Sequence, residues 1–373
     1  MKKVVTIVLV CALALSLAAL SGCVGSSDQV TLRVYNWGVN IADGSDDYID
    51  VIELFEEAYP EIDVIAEFEE KYPNIDVNYT TYEDNESLYT RLKNGGATYD
   101  VIIPSDYMIA RMIEEDMLLP LNFENIPNYE LVDDSFKNQA YDPNNEYSVP
   151  YTWGTVGVIY NTKYVDEADV GGWDLLWNEK YADRIVMFSN PRDSFAIAEA
   201  MLGYSLNTED PEELQAAADL LTEQKPLVQS YEMDNIYDLM ENEEAWIGVY
   251  YAGDCMLMIQ ENPDLAFYLP EDQTFNVFID AMCIPAGAEH KEEAELFINF
   301  LCEPEISGGN MDYIGYGTPI SAAKEFMDQE MANSPIAYPD EETLARGEAF
   351  GALSVEATQL MDSLWNDIRG DAA

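Results

Sequence analysis

The sequence predicts an α/β architecture of two lobes joined by crossover strands, and three observations carry that prediction. Short strands and helices alternate along the chain, the pattern of a sheet flanked by helices. The 373 residues, less a removable leader, suit two domains better than one. No low-complexity linker divides the chain, so crossings between lobes fit better than domains strung on a tether.

The first element is a leader. Lys2 and Lys3 precede an apolar run over residues 4–20, which ends in Leu20-Ser21-Gly22-Cys23. Charge, apolar stretch and small residues in that order make an export signal. The run is short beside the ~20 residues a membrane-spanning helix needs. The Leu-Ser-Gly-Cys ending resembles the lipobox of bacterial lipoproteins. Residues 1–22 are then a signal peptide, Cys23 carries a lipid, and residues 23–29 are a short tether at the outer face of the cell membrane, in the periplasmic space where the cell has one.

Residues 30–35 alternate as a strand and stop at Asn36-Trp37-Gly38. A repeat follows: residues 49–61 and 62–74 match at nine of 13 positions. Two copies are too few for a solenoid. Pro60 breaks any continuous helix, because an interior proline costs about 3 kcal/mol. Two short surface helices on the first lobe are expected there. Residues 75–82 form the next strand, 99–105 a buried strand and turn, and 106–115 a helix. Residues 147–154 lead into a strand over 155–160. Helices are expected at 174–179, 194–202 and 211–222, and strands at 245–250 and 275–283. Residues 291–301 form an amphipathic helix with Ala294, Phe297, Ile298 and Leu301 inward.

The formal net charge of −55 excludes nucleic acid as a partner, since phosphates would be repelled. It attracts cations, but most of it reads as a solubilising acidic surface. Beyond the leader and Cys23, the cysteines are Cys255, Cys283 and Cys302, an odd number at no zinc-site spacing. They read as buried thiols, with a Cys255–Cys283 disulfide as the alternative. The one histidine, His290, stands at a helix start, so neither a Ser-His-Asp triad nor a His-rich metal site is expected. No cofactor or resident metal is implied, and no enzyme chemistry is selected.

Five segments, in order, resemble the spermidine/putrescine-binding proteins of polyamine ABC transporters. They are Tyr35-Asn36-Trp37, the stretch 99–107 ending in Pro104-Ser105-Asp106-Tyr107, Tyr147-Ser148-Val149-Pro150-Tyr151, Gly315-Tyr316-Gly317-Thr318-Pro319 and Tyr338-Pro339-Asp340. The resemblance implies a two-lobe periplasmic-binding-protein type II fold with crossover strands at the hinge. Lobe 1 would hold residues 30–154 and 280–324, lobe 2 residues 155–279 and 325–373. It implies a monomeric, non-enzymatic receptor that delivers its ligand to a separate ABC permease and ATPase. No nucleotide loop of the GxxxxGK[ST] type is present in this chain.

A polyamine carries ammonium groups on a methylene chain, so its receptor needs carboxylates for the ends and flat apolar walls between. Aromatic faces serve both needs, at about 0.5–2 kcal/mol per cation contact. The resemblance assigns Trp37, Ser105, Tyr107, Asp193, Tyr251, Asp254, Phe278, Asp280 and Tyr316 to such a site. Asp280 is also marked by its own surroundings: it lies within an apolar strand, where an unpaired carboxylate is costly. Ser105 and Asp193 also stand where helix caps are expected. Three departures from the family pattern, Gly38-Val39 after the first tryptophan, Asn190 and Phe350, remove polar groups from one end and lean the reading toward putrescine. Other ligands for the same fold are ferric ion, through Tyr250 and Tyr251, and an amino acid or peptide, through Arg192. Strand alternation points one of the two tyrosines away from the cleft, which weakens the iron reading. Glycoside hydrolysis by paired carboxylates is the enzymatic rival.

Overall fold

The computed structural model describes residues 30–38, 40–42, 75–95 and 98–370. The leader, Cys23, the tether and the repeat lie outside the described residues. Among the described residues ten strands form a sheet whose main path runs β2 (Ile75–Tyr82), β1 (Val30–Trp37), β3 (Val101–Ile102), β9 (Phe275–Cys283), β4 (Ser148–Asn161), β7 (Ile247–Tyr251), β5 (Ile185–Phe188) and β6 (Val228–Glu232), with β8 (Leu265–Tyr268) on β4 and β10 (Gly347–Glu348) on β9. At one side β1 (Val30–Trp37) lies parallel to β2 (Ile75–Tyr82) and to β3 (Val101–Ile102). At the other, β5 (Ile185–Phe188) lies parallel to β6 (Val228–Glu232) and to β7 (Ile247–Tyr251). Two antiparallel strands join the groups: β4 (Ser148–Asn161) and β9 (Phe275–Cys283). The short strands β8 (Leu265–Tyr268) and β10 (Gly347–Glu348) complete the sheet.

The strand at 155–160 is the second half of β4, a single 14-residue strand. Its Val, Ile, Tyr, Trp and Thr side chains suit a strand covered on both faces, and all but one of its residues are buried. Pro150 cannot donate to a ladder, and the register with β9 shifts beside it. The first half of β4 feeds one core, with Val149 and Tyr151 beside Val34, Ile103, Phe297 and Ile298. The second half feeds another, with Val156, Val158 and Ile159 beside Phe188, Phe195 and Ile247. Phe275 and Phe278 divide β9 in the same way. Met327, Met331, Ala332 and Ala337 pack in the first core, whereas Met361, Trp365 and Ile368 pack in the second.

Helices fill the connections: α1 (Asn85–Asn94), α2 (Asp106–Glu114), α3 (Pro191–Leu202), α4 (Pro211–Gln224), α5 (Ile236–Glu241), α6 (Ala252–Glu261), α7 (Lys291–Leu301), α8 (Pro304–Ile314) and α9 (Val355–Arg369). Helix α3 starts three residues before the expected Ser194. Asn190 caps it by accepting the Asp193 N–H at 2.9 Å, and Pro191 takes the first helical position. The helix expected over 174–179 is instead two 3-10 turns, Trp173–Trp177 and Glu179–Tyr181. Trp173, Leu175 and Leu176 are all buried there, a spacing too tight for one helical stripe. Helix α7 buries Ala294, Phe297, Ile298 and Leu301 as its periodicity predicts. Cys255, Cys283 and Cys302 are free, buried thiols, which removes the disulfide alternative.

Candidate functional site

The parallel strands β1, β2, β5, β6 and β7 all end around one cleft of about 860 Å³. Ligands in open α/β sheets sit outside the carboxyl ends of strands, because loops there are free to carry side chains inward. All nine residues expected at the site line this cleft: Trp37, Ser105, Tyr107, Asp193, Tyr251, Asp254, Phe278, Asp280 and Tyr316.

Each acid is held by a polar partner from the frame. Asp280 on β9 is 6% exposed, and its Oδ1 accepts from the Ser105 hydroxyl at 2.7 Å. Ser105 occupies the N-cap of α2 but makes no capping bond, because its hydroxyl is committed to Asp280. Asn85 donates to Ser105 Oγ at 3.1 Å and to Tyr107 Oη at 3.2 Å, and Tyr107 donates onward to Glu86 at 2.9 Å. Asp193 sits inside α3, not at its cap; it accepts from Tyr251 Oη at 2.8 Å and Asn190 Nδ2 at 2.7 Å. Asp254 accepts from Tyr237 at 2.5 Å and from Tyr316.

The walls between the acids are rings. Phe278 meets Tyr251 edge-on at 5.5 Å and Tyr316 at 6.0 Å, and Trp37 tilts against Tyr82 at 4.9 Å. Tyr316 fits only because its neighbours lack side chains. A Cβ on Gly253 would stand 2.4 Å from the ring, and Gly315 itself has φ of 77°.

The electrostatics are one-sided. Eight carboxyl residues line the cleft: the predicted Asp193, Asp254 and Asp280, together with Glu83, Asp84, Glu86, Asp106 and Asp234. Among the described residues, no lysine or arginine lines it. Burial pushes Asp280 up to about 7, Asp106 to about 8 and Asp254 to about 6, and also raises Asp193; Arg192 offsets the effect only in part at Asp106 and Asp193. A site of this kind favours a cation that brings hydrogen-bond donors and apolar surface together. Arg192, the candidate for a ligand carboxylate, lies behind the wall. It stacks on Phe350 at 4.2 Å and donates to Asn207 Oδ1 at 2.8 Å.

One expectation is corrected. Tyr250 and Tyr251 both line the cleft, because β7 ends at Tyr251 and the cavity wraps around the strand end. Tyr250 Oη reaches toward Asp234 at 3.4 Å. The five further acids were not among the expected site residues, although a signal for them existed. Glu83 to Glu86 follow the end of β2 and Asp234 follows the end of β6, where a strand's carboxyl end delivers loops to the cleft.

A family model described as bacterial extracellular solute-binding protein matches residues 63–339. The spermidine/putrescine-binding periplasmic protein of Salmonella typhimurium is 32% identical over 324 residues, covering 87% of each chain. A solved structure from Listeria monocytogenes, provisionally described as a spermidine/putrescine ABC transporter, superposes with a TM-score of 0.81 at 32% identity, over 91% of this chain and 98% of that one. A lipoprotein of Treponema pallidum superposes with a TM-score of 0.77 at 26% identity, over 91% and 99%. The mixed sheet bridged by β4 and β9 is thus the periplasmic-binding-protein type II fold, and the chain belongs to the bacterial extracellular solute-binding protein family.

Proposed function

We propose that this protein captures a polyamine, putrescine or spermidine, in the cleft and delivers it to an ABC permease and its ATPase on separate chains. The observation that carries the reading is a cleft lined by eight carboxyl residues and several rings, with no lysine or arginine lining it among the described residues. Trp37, Tyr107, Tyr251, Phe278 and Tyr316 would cover the methylenes. Asp193, Asp254 and Asp280 would take the ammonium groups, with Ser105 orienting Asp280. The functions named for the Salmonella and Listeria proteins support the same ligand class.

The proposed lobes meet at this cleft. Lobe 1 holds residues 30–154 and 280–324, and lobe 2 holds 155–279 and the C-terminal helix. The sequence puts 325–373 with lobe 2; the packing of Met327, Met331, Ala332 and Ala337 in the first core supports counting the segment as far as Ala337 with lobe 1 instead. Ligand that touches both lobes binds the closed state better and shifts the population toward it. The receptor would act as a monomer on the outer face of the membrane, tethered by lipid on Cys23. The Treponema relative, itself a lipoprotein, supports the tether.

Calorimetric titration with putrescine and spermidine at two salt concentrations tests the reading. Saturable heat with at least one amine is expected, weaker at the higher salt. No heat from either amine while the protein is folded would sink it. Ferric ion and an amino acid are the weaker readings. The hydroxyls of Tyr250 and Tyr251 point to different aspartates, and Arg192 is turned from the cleft. A visible colour band on adding iron would favour the first. Loss of ligand in Arg192→Ala would favour the second.

A further inference from the structure

One buried acid of the cleft is left without a task by the nine residues above. Asp106, the first residue of α2, is 2% exposed and lines the cavity. Its Oδ1 accepts the Tyr107 N–H at 2.7 Å, and its Oδ2 accepts the Ile279 N–H at 3.4 Å. Asp106 therefore joins α2 to β9 one residue away from the Ser105–Asp280 hydrogen bond on each strand of the contact.

The charged and titratable groups that act on Asp106 come from three sides. Asp280 on β9 repels it, Arg192 on α3 attracts it, and Tyr141 faces it from the segment before β4. Asp254 in turn acts on Asp280. Arg192 forms no ion pair with Asp106, and its Nη2 donates to Asn207 and to the Gly351 carbonyl. Two buried carboxyl groups that repel each other resist ionising together, and the attraction of Arg192 for Asp106 offsets this only in part. The burial that raises both groups toward neutrality agrees with a proton kept on one or the other in the empty cleft. An ammonium group is the missing cation. It has donors only, so it can serve both carboxylates at once.

We propose that Asp106 is a further amine-binding residue, acting with Asp280, and that the pair gives up a proton when an ammonium group enters. The inference rests on the polyamine reading of the cleft. The amine arrives protonated and keeps its proton. The O–H bond of the carboxylic acid breaks, and that proton passes to solvent. Two carboxylates then face one ammonium, so capture is an exchange of amine for proton.

Titration calorimetry of the mature full chain with putrescine and spermidine, at about pH 7.5 in two buffers of different ionisation enthalpy, tests this. The wild type is expected to release up to about one proton per amine bound. Asp106→Asn keeps an acceptor for the Tyr107 N–H but loses the charge. It is expected to bind amine about 10- to 100-fold more weakly, release less proton, and unfold at the same temperature as the empty wild type or higher. Wild-type affinity and proton release in Asp106→Asn, with only a lower unfolding temperature, would reduce the residue to a structural acceptor at the start of α2 and overturn the proposal. If that variant fails to fold, Asp106→Ser keeps a side-chain oxygen at the start of α2 and carries the same measurement. A wild type that binds amine without releasing a proton overturns it unaided. No heat in the wild type with either amine would instead count against the polyamine reading.

Discussion

Asp280 concentrates the chemistry of the cleft in one side chain. Its carboxyl is buried, faces other acids and, among the described residues, accepts a side-chain hydrogen bond only from the Ser105 hydroxyl. Asp280→Asn should keep the fold but lose the stabilisation that amines give the wild type, by about 1.5–3 kcal/mol of binding. A thermal-shift panel of amines reads this directly; an equal shift in mutant and wild type would exclude Asp280 from the site. The acids also set a pH dependence. Burial pushes Asp106, Asp254 and Asp280 up to about 8, 6 and 7 in the folded chain, above the ordinary range of an aspartate. Their contribution to stability is therefore fully present below about pH 4 and is lost as pH rises through 6 to 8. The empty protein should melt at falling temperature from about pH 5 to pH 8, and saturating amine should flatten that slope. Scanning calorimetry with and without ligand checks it. Parallel slopes would mean that the cleft acids do not govern it.

At the scale of elements, the ring of Tyr316 depends on glycines of other segments. Gly253→Ala would drive a methyl into that ring, 2.4 Å from its Cδ2, at the opening of α6. The ring must shift, and with it the hydroxyl that serves Asp254. A loss of about 1–3 kcal/mol in stability is expected, with weaker amine binding; chemical denaturation and calorimetry measure the two. Elements of this kind were unevenly legible in the sequence. Helix α7 and strand β2 were readable, because a clear apolar period and an alternating strand pattern are local signals. Strand β5, four residues long and wholly buried, has no alternation to read. Helix α6 follows β7 without a break, so no turn residue announces it. Trp37, Ser105, Tyr107 and Tyr316 lie in the ordered segments that resemble a family, and the other five site residues were assigned by that resemblance; Asp106, although it stands between Ser105 and Tyr107, and Glu86 are acids among many in the chain. Only their convergence on the cleft sets them apart, and convergence is a long-range property.

Over the whole molecule, 72 acidic residues face 17 basic ones. Such an excess destabilises the compact state through self-repulsion, and salt screens it. Raising salt from about 0.1 M to about 1 M should raise the unfolding temperature of the empty protein, because the Debye length falls from ~10 Å to ~3 Å. Amine affinity should fall over the same range. A melting temperature indifferent to salt would show that the surface acids are already compensated. The same one-sided composition also leaves a convenient optical handle. Of the six tryptophans, Trp37 alone lines the cleft, where it lies against Tyr82 and its indole nitrogen has no hydrogen-bond partner among the described residues. The other five do not line the cleft. Amine settling on that indole should therefore change the emission of one fluorophore, and Trp37→Phe should silence the change, so occupancy of the cleft can be followed by light without attaching a dye.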